Sequence, residues 1–373
     1  MGTIPYGHQW IDEEDIQAVV DVLRSNWLTT GPKVKEIEQD FADYVGTKYA
    51  VAVSSGTAAL HTAMFALGIG SGDEVIVPPI TFVATANAVV FQGGTPVFAD
   101  VDAETLLIDP RQVEERITPR TKAVVAVDYG GQPCAYDELR SIARRHGLAL
   151  VADACHSLGG LYKGRKVGTL ADLTVFSFHP VKHITTGEGG MITTDDPVMA
   201  ERMRRFRNHG INADHASRAE QGTWYYEMKD LGYNYRITDF QCALGLSQLE
   251  KLPVFLERRR EIAKMYDREV ASLKGVTPLY ISPDVVHSYH LYVIRVKERA
   301  RMFAQLREKG IGVNVHYFPV HLQPYYQKNF GTSEGLCPVA EKVYNHILSL
   351  PLFPQMEDND VERVVTAIEE VSD

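Results

Sequence analysis

A lysine between two histidines, in Phe178-His179-Pro180-Val181-Lys182-His183, separates an apolar run from the glycine-rich turn Gly187-Glu188-Gly189-Gly190. A lysine chosen at random is a solvated surface charge. Here residues 173–178 have the composition of a mostly buried strand, and Pro180 bars a helix through the segment. Lys182 is therefore expected at a strand end inside the protein. Partial desolvation pushes a lysine pKa down and makes the neutral amine accessible near neutral pH, which a Schiff-base lysine requires. His179 and His183, four apart, invite a metal reading instead. That reading needs a helix, a third ligand and usually an intervening acid; Pro180 opposes the helix and no Glu lies between them, so no metal is assigned.

Two further pieces bear on the same chemistry. Asp153, in Leu150-Val151-Ala152-Asp153-Ala154-Cys155-His156, ends a strongly apolar strand, where a carboxylate is costly unless a cation meets it. A protein cation is the ordinary partner, and a protonated pyridine nitrogen is the other. The turn Ser54-Ser55-Gly56-Thr57-Ala58-Ala59-Leu60 enters a helix and offers backbone N–H groups and a positive dipole end to a phosphate. Plain helix capping also explains such a turn, and it lacks the lysine of a P-loop. Gly68-Ile69-Gly70 is no dinucleotide fingerprint, because Asp73 stands at the third glycine and the stretch precedes a strand. A lysine amine, a strand-end aspartate and a phosphate cradle are together what pyridoxal phosphate needs.

The elements that must position these groups alternate. Residues 49–54, 74–77, 96–100, 123–128 and 148–153 are strand-like, and residues 57–67, 81–91 and 137–145 helical. This α/β pattern predicts a mainly parallel sheet covered on both faces, with ligands at the carboxyl ends of its strands. A long helix is expected from Thr238 toward Val270, interrupted or kinked near Pro253. Beyond it come strands at 290–296 and 312–318 and helices at 338–348 and 358–371. An arm, residues 1–35, carries an amphipathic helix at 16–23. The division expected is 1–246 for the arm and large cofactor-binding domain, and 247–373 for a smaller C-terminal domain.

Composition is ordinary for a globular chain: 373 residues, 45% hydrophobic and 23% charged. A net charge of −10 argues against nonspecific nucleic-acid binding, which needs a basic footprint. No apolar run approaches a membrane span and the N-terminus lacks signal-peptide character, which predicts a cytoplasmic protein. Cys134, Cys155, Cys242 and Cys337 are widely spaced and read as reduced thiols.

These motifs, with Trp27-Leu28-Thr29-Thr30-Gly31-Pro32, Thr81-Phe82-Val83-Ala84-Thr85-Ala86-Asn87 and Gly232-Tyr233-Asn234-Tyr235-Arg236-Ile237-Thr238-Asp239, resemble the DegT/DnrJ/EryC1/StrS sugar aminotransferases over almost the whole chain. The resemblance implies a fold-type I pyridoxal-phosphate enzyme, with a mainly parallel seven-stranded sheet. It implies Lys182 as the Schiff-base lysine, Asp153 as the pyridinium partner and His156 beside the cofactor's phenolic oxygen. Phe82 would stack on the ring, although plain helix packing also explains it. Gly56, Thr57 and Ser177 would hold the phosphate, and Asn234 would reach the phosphate of a neighbouring subunit in a homodimer. Thr30, Glu188, Arg236, His316 and Tyr317 would lie near the sugar nucleotide. The variant turn Val127-Asp128-Tyr129-Gly130-Gly131 looks like the branch making UDP-4-amino-4,6-dideoxy-N-acetyl-β-L-altrosamine for pseudaminic acid.

The reaction so implied moves the amino group of L-glutamate, through a pyridoxamine phosphate intermediate, to the C4 ketone of a nucleotide 4-keto-6-deoxy sugar, and releases 2-oxoglutarate. The alternatives are another nucleotide ketosugar (UDP-bacillosamine or legionaminic, GDP-perosamine or dTDP-sugar), a dehydratase with histidine in place of the lysine, and a non-catalytic cofactor-binding regulator.

Overall fold

The structure, a computed structural model, describes residues 2–213, 218 and 222–372. Its centre is a seven-stranded sheet built from β1 (Tyr49–Val53), β2 (Glu74–Val77), β3 (Thr95–Phe98), β4 (Thr121–Val127), β5 (Ala149–Asp153), β6 (Leu173–Ser177) and β7 (Gly190–Thr194). The strand order is β1-β7-β6-β5-β4-β2-β3. Neighbours from β6 through β5, β4 and β2 to β3 pair in parallel, and β7 runs antiparallel to both β6 and β1. Near-continuous burial of β1, β2, β4, β5 and β6 explains why they read as apolar runs rather than alternating patterns.

The arm docks through α1 (Glu13–Leu23), whose buried Asp15 meets Lys251 at 3.0 Å and accepts from Ser247 at 2.7 Å and Gln248 at 2.8 Å. A second helix, α2 (Pro32–Val45), was not anticipated in the arm. Gly31 at its N-cap has no side chain to cap it. Asp239, buried at the start of the long helix, accepts instead from Gly31 N–H at 2.8 Å and Lys33 N–H at 3.0 Å. Two more helices, α3 (Gly56–Ala66) and α4 (Ala84–Phe91), follow β1 and β2.

Three expectations need correction. The long helix runs over Asp239–Val270 without interruption at Pro253, whose ring is solvent-exposed. Residues 312–318 form no strand; only Asn314 bridges Ser349. Their backbone is satisfied elsewhere, with Gly312 N–H donating to Ile4 O at 2.7 Å and His316 O accepting from the Tyr129 hydroxyl. The helix expected at 338–348 stops at Tyr344, and Ile347–Leu350 becomes a strand paired with Tyr292–Val296, a tertiary pairing that overrides the helical pattern.

Two core clusters result, and the long helix supplies Leu252 and Leu256 to one and Ile262, Tyr266 and Val270 to the other.

The Gly130-Gly131 turn after β4 shows why glycine is needed there. Gly131 has φ 111°, and a Cβ on it would meet His156 O, Ser288 Oγ and Tyr289 N, each at 2.8 Å. Gly147 has φ 66° with nothing within 4 Å. Gly147→Ala is expected to cost about 1 kcal/mol from the backbone alone. Gly131→Ala, with three hard contacts added, is expected to cost about 3 kcal/mol or more. Urea unfolding of both variants checks the order.

Candidate active site

Every parallel strand that supplies a site residue does so at its carboxyl end. The turn after β1 gives Ser55, Gly56 and Thr57; the loop after β2 gives Thr81, Phe82 and Thr85; β5 ends in Asp153 and leads to His156; β6 ends in Ser177 and leads to Lys182. Glu188 enters on the same side because β7 is antiparallel. These residues, with Tyr6, His290, His316 and Tyr317, line one cleft of about 540 Å³.

Asp153 is 6% exposed. Its Oδ2 accepts from the Thr85 hydroxyl at 2.7 Å and its Oδ1 from Cys155 N–H at 3.3 Å, while Thr81 hydrogen-bonds Thr85 at 2.8 Å. Among the described residues no lysine, arginine or histidine forms an ion pair with Asp153, so the ordinary salt bridge entertained from sequence is not what holds it. A buried carboxylate with two neutral donors and an open cleft before it fits a cationic ring nitrogen.

The phosphate end fits as well. Ser55 caps α3 by accepting Ala58 N–H at 3.0 Å, which leaves the first N–H groups of the helix without intrahelical acceptors. A side chain at Gly56 would fill the cradle, since its Cβ would lie 2.9 Å from Ser177 Cβ and 3.1 Å from Ser177 Oγ. Phe82 is 57% exposed on the cleft wall ahead of α4, 6.1 Å from the Tyr317 ring, so it is not consumed in helix packing. The residues present therefore fit pyridoxal phosphate.

Lys182 is partly buried, and burial pushes its amine down from the ordinary lysine value, with Cys155 and Asp153 pulling the other way. Its Nζ lies 3.4 Å from His290 Nε2. The neighbouring histidines are neutral because burial pushes His156, His183 and His290 well below the usual imidazole value and His316 down to about 3. Their tautomers follow from their partners. His156 Nδ1 accepts from Gly130 N–H at 3.3 Å, so the ring proton sits on Nε2 and points at the Tyr317 hydroxyl, 3.0 Å away. His183 Nε2 faces the Ser288 carbonyl at 3.1 Å and must be the donor.

Three of the sequence-derived candidates lie outside this cleft. Asn234 is exposed and bridges Asn208. Thr30 and Arg236 line a separate basic cavity of about 200 Å³ with Lys35, Arg204 and Arg207, where Arg236 donates to Asn208 Oδ1 at 2.8 Å. His290, Thr85 and Tyr6 are cleft residues that sequence reasoning missed. For Thr85 there was a signal: the segment 81–91 reads as helical, and that pattern sets Thr81 and Thr85 four residues apart on one face, although the helix itself starts only at Ala84. For His290, at a strand start, there was none.

A mainly parallel sheet with a lysine, a cation-seeking aspartate and a phosphate cradle at its strand ends defines a fold-type I, pyridoxal-phosphate-dependent aminotransferase. Residues 9–369 match the DegT/DnrJ/EryC1/StrS aminotransferase family, and the chain belongs to it. It is 45% identical over 376 residues to the spore coat polysaccharide biosynthesis protein SpsC of Bacillus subtilis, covering 99% of this chain and 97% of SpsC. Among solved structures, Spr1654 of Streptococcus pneumoniae, described as a sugar aminotransferase, superposes in its PMP form with TM-score 0.94 at 35% identity over 99% of each chain. Helicobacter pylori PseC, an aminotransferase of pseudoaminic acid biosynthesis, superposes with TM-score 0.92 at 34% identity over 99% of each chain. The protein is thus a sugar aminotransferase. No helix among the described residues is long and apolar enough to cross a membrane.

The neutral histidines carry a pH consequence. Unfolded imidazoles titrate near 6.5, whereas His156, His290 and His316 in the cleft, the buried His183, His61, pushed by burial to about 4, and His287, pushed to about 3, titrate lower in the fold. Unfolding therefore takes up protons below about pH 6.5, and stability is lost as pH falls. Asp128, pushed up by burial to about 6, acts in the opposite sense, against six histidines. The urea midpoint is expected to drop between pH 7.5 and 5.5; a flat profile would contradict these neutral states.

Proposed function

We propose that this chain transfers the amino group of L-glutamate to the C4 ketone of a nucleotide-linked 4-keto-6-deoxy sugar. The favoured substrate is the UDP-linked N-acetyl sugar whose product is UDP-4-amino-4,6-dideoxy-N-acetyl-β-L-altrosamine. The observation that carries the reading is the buried, cation-free Asp153 in one cleft with Lys182 and the Gly56 cradle.

Pyridoxal phosphate, when bound, supplies the electron sink that stabilises negative charge at the carbon losing or gaining a proton. The chain's own residues do the rest. Asp153 keeps the ring nitrogen protonated through its negative charge, and Thr85 and Cys155 hold that carboxylate in place. Gly56, Thr57 and Ser177 bind the phosphate. Phe82 would cover the ring face, and His156, its Nδ1 accepting from Gly130 N–H, would sit beside the phenolic oxygen. Lys182 bonds the cofactor, and its amine then moves the proton between carbon atoms as general acid and base; a depressed pKa suits both duties. Glu188, His316 and Tyr317 border the space left for the sugar.

The exposed Asn234, and the basic cavity holding Thr30 and Arg236, would serve a neighbouring subunit's cleft, so the working unit is a homodimer with shared sites. Trp224, at 83% exposure, and Leu231, at 77%, lie on the adjoining surface and support burial there. Kinship with SpsC supports a role in polysaccharide biosynthesis, and likeness to PseC supports the L-altrosamine branch.

Borohydride reduction is expected to fix the cofactor's mass to the Lys182 peptide. Lys182→Ala is expected to abolish turnover, a loss of at least about 10³-fold, while cofactor binding stays measurable. Normal turnover by that variant would sink the assignment. Glutamate-loaded enzyme, freed of excess glutamate, is then offered the two C5-epimeric UDP-4-keto-6-deoxy-N-acetylhexosamines. Amination of the L-arabino epimer alone supports the pseudaminic branch, amination of the D-xylo epimer alone the bacillosamine or legionaminic branch, and neither moves the search to GDP- and dTDP-linked sugars.

A further inference from the structure

His290 has no part in the chemistry described so far, yet its placement is not that of a packing residue. It is 5% exposed. Its Nε2 lies 3.4 Å from Lys182 Nζ, and its Nδ1 is buried with no partner. A buried imidazole with one polar contact costs free energy that a leucine of similar size would not, so the lysine contact is what the ring is there for.

The backbone around it is held from three directions. Ser288 O accepts from His183 at 3.1 Å, beside Lys182. The single Ser288 hydroxyl proton lies between two carbonyl acceptors, His156 O at 3.0 Å and Gly131 O at 3.2 Å from Oγ, and Leu291 N–H donates to Gly130 O at 3.0 Å. From the long helix, buried Arg259 donates to Tyr289 O at 3.2 Å and Arg260 to His287 O at 3.1 Å. The ring of His156 lies 4.3 Å from that of His290, tilted by 42°, with His183 at 5.8 Å. A side chain on so constrained a segment fixes a position in space.

We propose that His290 is the positioning residue for Lys182, its Nε2 being the seat that holds the lysine nitrogen inside the cleft whenever that nitrogen is not bonded to the cofactor. The proposal rests on the aminotransferase reading above. The ring can serve either protonation state of the lysine. Toward a neutral amine Nε2–H donates and the orphaned Nδ1 is a bare acceptor. Toward an ammonium Nε2 accepts and Nδ1–H becomes a buried donor without partner, the costlier arrangement. The seat therefore favours the nucleophilic form. Other charged or titratable groups facing this pair are Asp153, Cys155, His156, His183 and Arg259.

The test compares His290→Phe, which keeps a ring and loses the nitrogens, with His290→Gln, which can return an amide donor to the lysine. Cofactor-free protein is mixed with pyridoxal phosphate, and covalent capture is followed by absorbance: a C–N bond forms between Lys182 and the aldehyde carbon and one water leaves, with no redox partner. Binding of 4′-deoxypyridoxine phosphate, which has no aldehyde, is measured in parallel. The expected result for His290→Phe is capture slowed by about tenfold or more and kcat lowered with KM little changed, while analogue affinity and Tm stay near wild type. The Gln variant is expected to recover most of the capture rate. Capture unchanged in His290→Phe, equal losses in both variants, or a loss of analogue binding parallel to the loss of capture would each overturn the proposal. If the Phe variant does not fold, His290→Leu is measured in its place. Wild-type protein that neither captures the cofactor nor releases 2-oxoglutarate from glutamate would instead overturn the aminotransferase reading.

Discussion

A negative charge at the end of the central strand of an apolar sheet is the constraint on which the site depends. Asp153 is held by a threonine hydroxyl and a backbone amide, and neither neutralises it. Burying a charge with only neutral donors around it costs free energy at the sheet end. It is tolerable because the cleft admits a cationic ring that completes it. Gly56, Lys182 and Phe82 line the same cleft around that carboxylate.

Parallel strands make this convergence inexpensive. Each β–loop–α passage delivers its loop to the same edge, so residues from position 56 to position 188 meet without any long detour of the chain. The C-terminal part of the chain then closes the cleft from outside the sheet. Segment 287–291 is hydrogen-bonded to the turns after β4 and β5 and to the lysine loop, and it is gripped by two arginines of the long helix. Arrangement of the chemistry is thereby shared between the sheet, which fixes the carboxylate, and a loop beyond the long helix, which fixes the amine.

Much of this was legible in the residues. Runs such as 149–153 and 173–177 announced buried strands by composition, and the chemistry-bearing residues fell just after them. Lys182, Asp153, Gly56, Thr57, Phe82, His156, Ser177, Glu188, His316 and Tyr317 do share one cleft. Legibility failed where a segment's fate is decided by distant partners. Residues 312–318 look like a strand, but their amides and carbonyls are claimed by the arm and by Tyr129. Residues 347–350 continue a helical pattern until a neighbouring strand captures them. His290 carries no local signature, because its meaning lies in what sits 3.4 Å away across 108 positions of sequence. Asn234 was expected to leave its own cleft, but the separation of Thr30 and Arg236 from that cleft was hidden for the same reason: their distance from Lys182 is set by how remote segments pack.

The antiparallel strand β7 has a consequence for how the chain is made. β1 leaves the ribosome early, but its only neighbour in the sheet is β7, with Val53 beside Gly190, so it waits through more than a third of the chain for a partner. Until then the strands from β2 to β6 can assemble while the strand that leads into the phosphate cradle stays unpaired. Such late closure of a distant pairing slows folding and leaves a sticky strand exposed in the nascent protein. The close approach of Gly56 to Ser177, which needs β1 in its place, accordingly waits for β7 to be made, and the cleft is completed later still, when His290, His316 and Tyr317 join it.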